Sequence, residues 1–576
     1  MFEFHADEKR RLALLHTGNM LIIGGPGSGK TTFALFKAKQ LIENGEIKAG
    51  QHVLFLSFAR STISRVEEQA GNLVDATAKA SIEINTYHSF IWNILKRHGY
   101  LLNAKPLKLL SPHEAASKLA RIEKSKVDVV TNKWFEEDGL VHFDLFASLC
   151  NKLLSGSHAL LRIICDMYPV IILDEFQDTN KDEWELIRTL GSYSTLIALA
   201  DPEQRIYDFR GADPQRIPNF IQEYSPAVFD FGTENNRSSG TDIVEFGNDL
   251  LAQTNKGKTY KDVAVQYYPS IHPSYKHAYL KGRILAACKW LKKISPDKWS
   301  LAVLVPTNSL MLEVSDFLQK EQHLGGSQKL PSIAHDVAVD SAGPSLAAMF
   351  IATILEKGSC KCCCANDIIQ GLTSHILGRK GPAAPPKKDI SFTDAINKYM
   401  ETGRISGKNR LAFIAECTAI ATDANTIAFS GNVVSDWKQI TARLSQSNNA
   451  YIAQLCSDAK YIRLLQRGSQ LYSSLDTLWK NTHSYLNAFD AVSNALTQEH
   501  FSMSTKTWDG VSVMTIHKSK GKEFDVVLIY EGKYQNRIVS KPDRIDQARL
   551  NLRVAVTRAK RYTIILTPED DPCPLI

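Results

Sequence analysis

Apolar residues in this chain gather into short unbroken runs, each closed by glycine or polar residues. Leu21-Ile22-Ile23 leads into Gly24-Gly25-Pro26-Gly27-Ser28-Gly29-Lys30-Thr31-Thr32, and a helix-competent stretch, Phe33 to Leu41, follows. Val170-Ile171-Ile172-Leu173 is apolar at every position, as in a strand buried on both faces, and it ends in Asp174-Glu175-Phe176-Gln177-Asp178-Thr179. Leu196 to Ala200 reads as another strand, with Gln204 just beyond it. Residues 299–318, WSLAVLVPTNSLMLEVSDFL, read as a strand followed by an amphipathic helix. Buried strands interleaved with helices predict an α/β fold with parallel sheets. Between about 358 and 505 the pattern changes to Ala/Leu-rich helical stretches around a probable linker, Gly381-Pro382-Ala383-Ala384-Pro385-Pro386-Lys387-Lys388.

The first run carries the most specific chemistry. Gly24 to Thr31 has the form Gly-x-x-x-x-Gly-Lys-Thr between a strand and a helix, which is the context of a phosphate-binding loop. Glycines let successive backbone N–H groups converge on phosphate oxygens, and the helix turns its amino end to the same anion. Lys30 then reaches the terminal phosphates of ATP, and the Thr31 hydroxyl ligates Mg²⁺. Asp174 and Glu175 follow a buried strand, where α/β sheets bind ligands. Asp174 is expected to hold Mg²⁺, and Glu175 to orient or deprotonate the attacking water.

Bulk composition adds bounds. A chain of 576 residues is too long for one core, so two to four domains are expected. With 44% apolar and 22% charged residues it reads as globular rather than disordered. A net charge of +7 permits nucleic-acid binding without establishing it. No membrane span and no signal-peptide core is visible, so the expected location is cytoplasmic. The ten cysteines are then read as reduced thiols. Cys360, Cys362, Cys363 and Cys364 crowd together, but near-adjacent sulfurs wrap a tetrahedral ion poorly.

IILDEFQDTN closely resembles motif II of the UvrD/Rep-like superfamily 1 DNA helicases. Further segments are similar to that family in the same order: LFLSFARSTISRVEEQ (54–69), INTYHSFIWNILKRHG (84–99), LIALADPEQRIYDFRGAD (196–213), TENNRSSGTDIV (233–244), VSVMTIHKSKGKEFDVVLI (511–529) and LNLRVAVTRAKRYTIIL (550–566). The resemblance implies two RecA-like lobes with parallel sheets, each carrying a mainly helical insertion. The first lobe would take 1–98 and 160–235, with an insertion at 99–159. The second would take 236–357 and 506–568, with an insertion at 358–505 and a tail at 569–576. It also implies Gln204 as a γ-phosphate sensor, and Arg237 and Arg558 as arginines that stabilise charge on the transferring phosphoryl group. Phe58, Tyr87, His88, Phe209, His517 and Lys518 match positions lining a single-stranded DNA channel. Phe209, in place of a more frequent Trp, is the first candidate for base stacking and Phe58 the second.

Two positions depart from the family. The usual adenine-reading Gln near the amino terminus is missing, and Glu8 occupies the best-aligned slot. Asn236 stands where an aromatic residue usually precedes the motif IV arginine. Both departures concern the base rather than the phosphates. The activity implied is an ATP-dependent helicase moving 3′→5′ on single-stranded or tailed DNA. The alternative is a DNA-responsive ATPase subunit of a larger assembly, for example one with a nuclease partner in anti-phage defence. Ten residues follow Leu566, so further chemistry is expected from a partner.

Overall fold

The computed structural model describes residues 7–58, 66, 76–202, 213–232, 238, 240–269, 277–323, 329–337, 342–381, 384–460, 470–501 and 508–576. The chain forms two compact units. The first takes Met1–Ile94, Ala147–Ala338 and Met503–Ile576, and the second takes Leu95–Phe146 and Val339–Ser502.

The first unit contains two six-stranded parallel sheets. In the first sheet the strands are β1 (Met20–Ile23), β2 (Val53–Ser57), β3 (Ile82–Thr86), β4 (Val170–Leu173), β5 (Thr195–Ala200) and β6 (Ala227–Asp230), in spatial order β3-β2-β4-β5-β1-β6. Parallel pairing puts the carboxyl ends of these strands on one edge. In register, Ile23 stands beside Ala200 and Leu56 beside Leu173. Met20, Ile22, Phe55, Ile172, Ile197 and Leu199 are buried between sheet and helices, which is why these strands lack polar alternation.

Three helices shape that edge. α1 (Glu8–Leu15) starts at Asp7, whose carboxylate accepts from Arg10 N at 2.7 Å. α2 (Lys30–Glu43) leaves directly from the glycine loop after β1. α3 (Tyr87–His98) leaves directly from β3, and the Thr86 hydroxyl accepts from Ser89 N at 3.0 Å. The second sheet has β7 (Val263–Tyr268), β8 (Ser300–Val305), β9 (His335–Val337), β10 (Gly510–Thr515), β11 (Phe524–Tyr530) and β12 (Ala559–Pro568), in order β9-β10-β8-β11-β12-β7. α4 (Ile545–Val556) feeds β12 through Thr557 and Arg558. The α/β class with two parallel-sheet lobes is thus observed.

The second unit is built mainly of helices. Ala342–Ser359 is apolar around its circumference, and helices Ala365–Gly378, Lys408–Thr426, Ala450–Lys460 and Ala488–Phe501 surround it. Phe350, Ile354, Leu372, Ile420, Trp437, Leu455 and Leu475 belong to its core. Pro112–Leu119 packs on Ala342–Ser359 and Ala365–Gly378, so both insertions share one unit.

The unit boundaries differ from those expected. Residues 147–159, expected in the first insertion, go with the first unit, where Thr189 Oγ1 donates to Asn151 Oδ1 at 2.6 Å. Ala342–Ser359, of which residues 342–357 were expected in the second lobe, goes with the second unit because its apolar surface is covered there. Lys387 and Lys388, read as linker, open the helix Lys387–Thr402 after Pro386, while Pro382 and Ala383 lie outside the described residues. The reduced-thiol expectation is corrected for Cys360 and Cys362, which form a disulfide. A turn through Lys361, at φ 54°, brings their Cα atoms to 5.3 Å, within bridging range.

Candidate nucleotide site and nucleic-acid track

The glycine loop is held from both flanks. Gly24 N donates to Ala200 O at 3.2 Å, and Gly25 N to Gly232 O at 2.9 Å. Gly27 and Gly29 have φ of 77° and 84°, a region that side chains with Cβ avoid. Gly29 caps α2 without any side chain, which leaves the helix's first N–H groups for a ligand. A Cβ on Gly24 would lie 2.6 Å from Ser28 Oγ and 3.3 Å from Phe231 Cβ. Ser28 Oγ itself is buried with no hydrogen-bond partner among the described residues. Lys30 Nζ folds back on the loop, donating to Gly24 O at 2.6 Å and Gly25 O at 3.1 Å. Backbone donors, a buried hydroxyl without a partner and an ammonium group fit a polyphosphate. Thr31 and Thr32 are half-buried in the first turn of α2.

The acidic pair sits on the same edge. Asp174 is 5% exposed; its N–H donates to Leu56 O at 2.8 Å and its Oδ2 accepts from Ser57 Oγ at 3.0 Å. Glu175 adopts φ 52°, ψ 38°, an uncommon conformation for a residue with Cβ and one often found at functional sites. Gln177 fixes it from below: Nε2 donates to Glu175 Oε2 at 2.6 Å, while Oε1 accepts from Asp201 N at 3.0 Å. The carboxyl-carboxylate balance at Glu175 is set by opposing forces. Burial pushes its pKa up, but Lys520, Lys30, the Gln177 amide and Arg558 outweigh burial and hold it below the ordinary value.

Lys520 arrives from the other sheet. It is 3% exposed, forms an ion pair with Asp178, and lies 3.7 Å from Glu175 Oε2. Arg558, 2% exposed, donates through Nε to Val554 O at 3.0 Å and contributes to the field at Glu175. Lys522 donates to Lys518 O and lies 5.3 Å from the Trp508 ring. Burial, reinforced by Lys518 and Arg558, lowers its pKa to about 8. Lys30 and Arg558, predicted from separate motifs, therefore both act electrostatically on Glu175. Lys520, Gln177 and Asp178 were missed, although the KSKGK and DEFQD segments displayed them.

The nucleic-acid candidates separate. Phe58 and Tyr87 follow the neighbouring strands β2 and β3, and their rings stack at 4.4 Å with 19° between planes. Tyr87 is 2% exposed, and its ring packs inside the lobe. Burial, then Glu183, Asp174 and Asp178, raise its pKa well above the usual value. Phe58 stays half-buried, as do His88, His517 and Lys518. Gln204, Phe209, Asn236 and Arg237 lie outside the described residues. Glu8 is exposed in the first turn of α1. Arg10 turns inward instead: it pairs with Asp7 at 2.6 Å, donates to Ser28 O at 3.1 Å and covers the Phe231 ring at 4.9 Å.

Comparison with known proteins gives two family matches. Residues 6–137 and 108–225 match the UvrD/REP helicase N-terminal domain, and residues 375–567 match the viral superfamily 1 RNA helicase core domain. A probable DNA helicase of Mycoplasma pneumoniae is 24% identical over 297 residues, covering 43% of this chain and 56% of that protein. DNA helicase II of Salmonella typhimurium is 22% identical over 293 residues, 43% of this chain and 40% of that protein. The ATP-dependent DNA helicase PcrA of Staphylococcus aureus is 24% identical over 288 residues, 42% and 39% respectively. The matched stretch thus spans about half or less of each relative. No described helix is long and apolar enough to cross a membrane.

Proposed function

We propose that this chain, similar over residues 6–225 to the UvrD/REP helicase N-terminal domain, is a superfamily 1 ATP-dependent DNA translocase and helicase moving 3′→5′ on single strands. The observation that carries this reading is the meeting of the two sheets at Glu175, where Lys520 of the second lobe lies 3.7 Å from the carboxylate of the first, with Lys30 and Arg558 adding to the field there. A hydrolytic site divided between lobes couples nucleotide state to their separation.

In this reading the loop Gly24-Gly25-Pro26-Gly27-Ser28-Gly29-Lys30-Thr31-Thr32 binds the triphosphate. Thr31 and Asp174 hold Mg²⁺, which supplies charge neutralisation between phosphates. Lys30 leaves the Gly24 and Gly25 carbonyls for the phosphates. Glu175, kept ionised by its cationic neighbours, orients the attacking water and accepts its proton. Arg558, with Arg237, stabilises charge on the transferring group, and Gln204 relays the γ-phosphate state. Phe58, His88, Phe209, His517 and Lys518 guide the strand. The Lys520 bridge to Asp178 and Glu175 is the contact whose strength changes when a polyanion enters.

The test is ATP hydrolysis with and without single-stranded DNA, followed by unwinding of 3′-tailed and 5′-tailed duplexes. DNA should stimulate hydrolysis, less so as salt rises. Glu175→Gln should keep ATP binding and lose about 10²–10⁴-fold in turnover. Hydrolysis indifferent to DNA would overturn the motor reading. Stimulated hydrolysis without unwinding would favour an ATPase subunit acting with a partner such as a nuclease.

A further inference from the structure

The helix Ala278–Ile294, in the second lobe, carries Lys281, Arg283, Lys289, Lys292 and Lys293 and no Asp or Glu. Its inner face is Ala278, Leu280, Lys281, Ile284, Ala287 and Leu291. Lys281 is spoken for there, with Nζ donating to Lys320 O at 2.6 Å. The outer face is different in kind. Lys289, Lys292 and Lys293 are exposed, Trp290 is 43% exposed and Ile294 39%. One turn from the start, Arg283 covers the Tyr279 ring at 5.0 Å and donates to its hydroxyl at 2.9 Å.

Lysines in a last helical turn complement the helix dipole, a gain of about 0.3–1 kcal/mol. That accounts for Lys292 and Lys293. It does not account for Arg283 and Lys289 further up, nor for a large indole left in water. The place is also separate from the nucleotide site. Arg561, at the start of β12, lies 3.5 Å through Nη2 from Ser295 Oγ. The helix therefore ends at the amino-terminal edge of the second sheet. His517 and Lys518 follow Thr515 from the carboxyl-terminal edge.

We propose that this outer face is a second nucleic-acid contact, holding single-stranded DNA phosphates through Arg283, Lys289, Lys292 and Lys293 and stacking a base on Trp290. The proposal rests on the DNA-motor reading above. Charge complementarity selects a polyanion. The exposed indole selects one with unstacked bases, because in a paired duplex the base faces are covered by their neighbours and none is open to an indole. With only Trp290 and Ile294 as large exposed apolar groups on the helix, the face lacks the continuous apolar stripe of a membrane-surface helix.

The experiment uses the whole chain, a short and a long oligothymidylate, and two variants: the triple Lys289→Ala, Lys292→Ala, Lys293→Ala, and Trp290→Ala. Binding is measured across a salt series. Each lost phosphate contact lowers the single-strand salt slope by about 0.7, so the triple variant should lose about 2 in slope and up to about a hundredfold in affinity for the long strand at 0.1 M salt. Trp290→Ala should lose about tenfold, the range expected for one stacked base. The short strand should bind both variants and the unaltered chain alike, and DNA-free ATP hydrolysis should not change. Unchanged long-strand affinity and slope in both variants, with DNA binding retained, would overturn this surface alone. In a parallel arm with phosphatidylcholine vesicles containing phosphatidylserine, variants that lose vesicle binding but keep long-strand affinity would also overturn it and assign the face to a membrane. No DNA binding by the unaltered chain would overturn the surface together with the function it rests on.

Discussion

At the scale of single residues, Lys522 makes a pH-dependent statement. Its pKa is lowered to about 8 in the fold from the usual 10.5, by burial first and then by Lys518 and Arg558. Between those values the unfolded chain binds the proton more readily than the folded one. Stability from this residue therefore rises with pH across that window and is flat below about pH 8, where both states are charged. Lys522→Met should remove the rise and increase the thermal midpoint at neutral pH. Melting both proteins from about pH 7 to about pH 10 checks it, and parallel curves would remove Lys522 from the balance. Lys30, Asp174, Glu175 and Arg558 were legible in the sequence because each sits in a contiguous motif of its own. Lys520, Gln177 and Arg10 were not, because their meaning arises only across sheets or from a neighbouring loop. The direction of Tyr87 was not legible for a related reason: an aromatic residue after a strand does not announce which way it turns, and here it turns onto Phe58.

At the scale of elements, strands were easier to read than helices. Runs such as Val170–Leu173 are apolar throughout, so both strand and burial follow from one observation. The helical unit gave only its approximate place. Its core is assembled from separate helices, and no short motif records which faces meet. One loop in it is sharply defined. Gly431 has φ +81°, and a Cβ there would lie 2.0 Å from Trp479 Nε1. The buried Asp436 binds the Gly431 N–H at 2.9 Å and the Tyr485 hydroxyl at 2.8 Å. Gly431→Ala should cost about 1–2 kcal/mol from backbone strain alone, and more once Trp479 is displaced. Calorimetry should show the loss in the second unit, with DNA-free ATP hydrolysis at low temperature unaffected. An unchanged melting profile would mean the loop relaxes freely.

At the scale of the whole molecule, two compact units predict two unfolding transitions. The glycine loop lies in the first unit, so a non-hydrolysable ATP analogue with Mg²⁺ should stabilise that unit by about 2.7 kcal/mol at a hundred times its Kd. The second transition should stay where it was; a single transition moving as one would show that the units melt together. The order of residues along the chain has a further consequence, for synthesis. The second unit is made of Leu95–Phe146 and Val339–Ser502, with a long part of the first unit between them. The first unit in turn needs Met503–Ile576, which supplies β10, β11 and β12. As the ribosome delivers the chain, the apolar surface of Pro112–Leu119 waits for Ala342–Ser359, and β8 waits for both its neighbours in the second sheet. The second sheet and the helical unit therefore close only after residues 339–576 are made, whereas the first sheet has all its strands by Asp230; the late-closing parts are the ones exposed to misassembly.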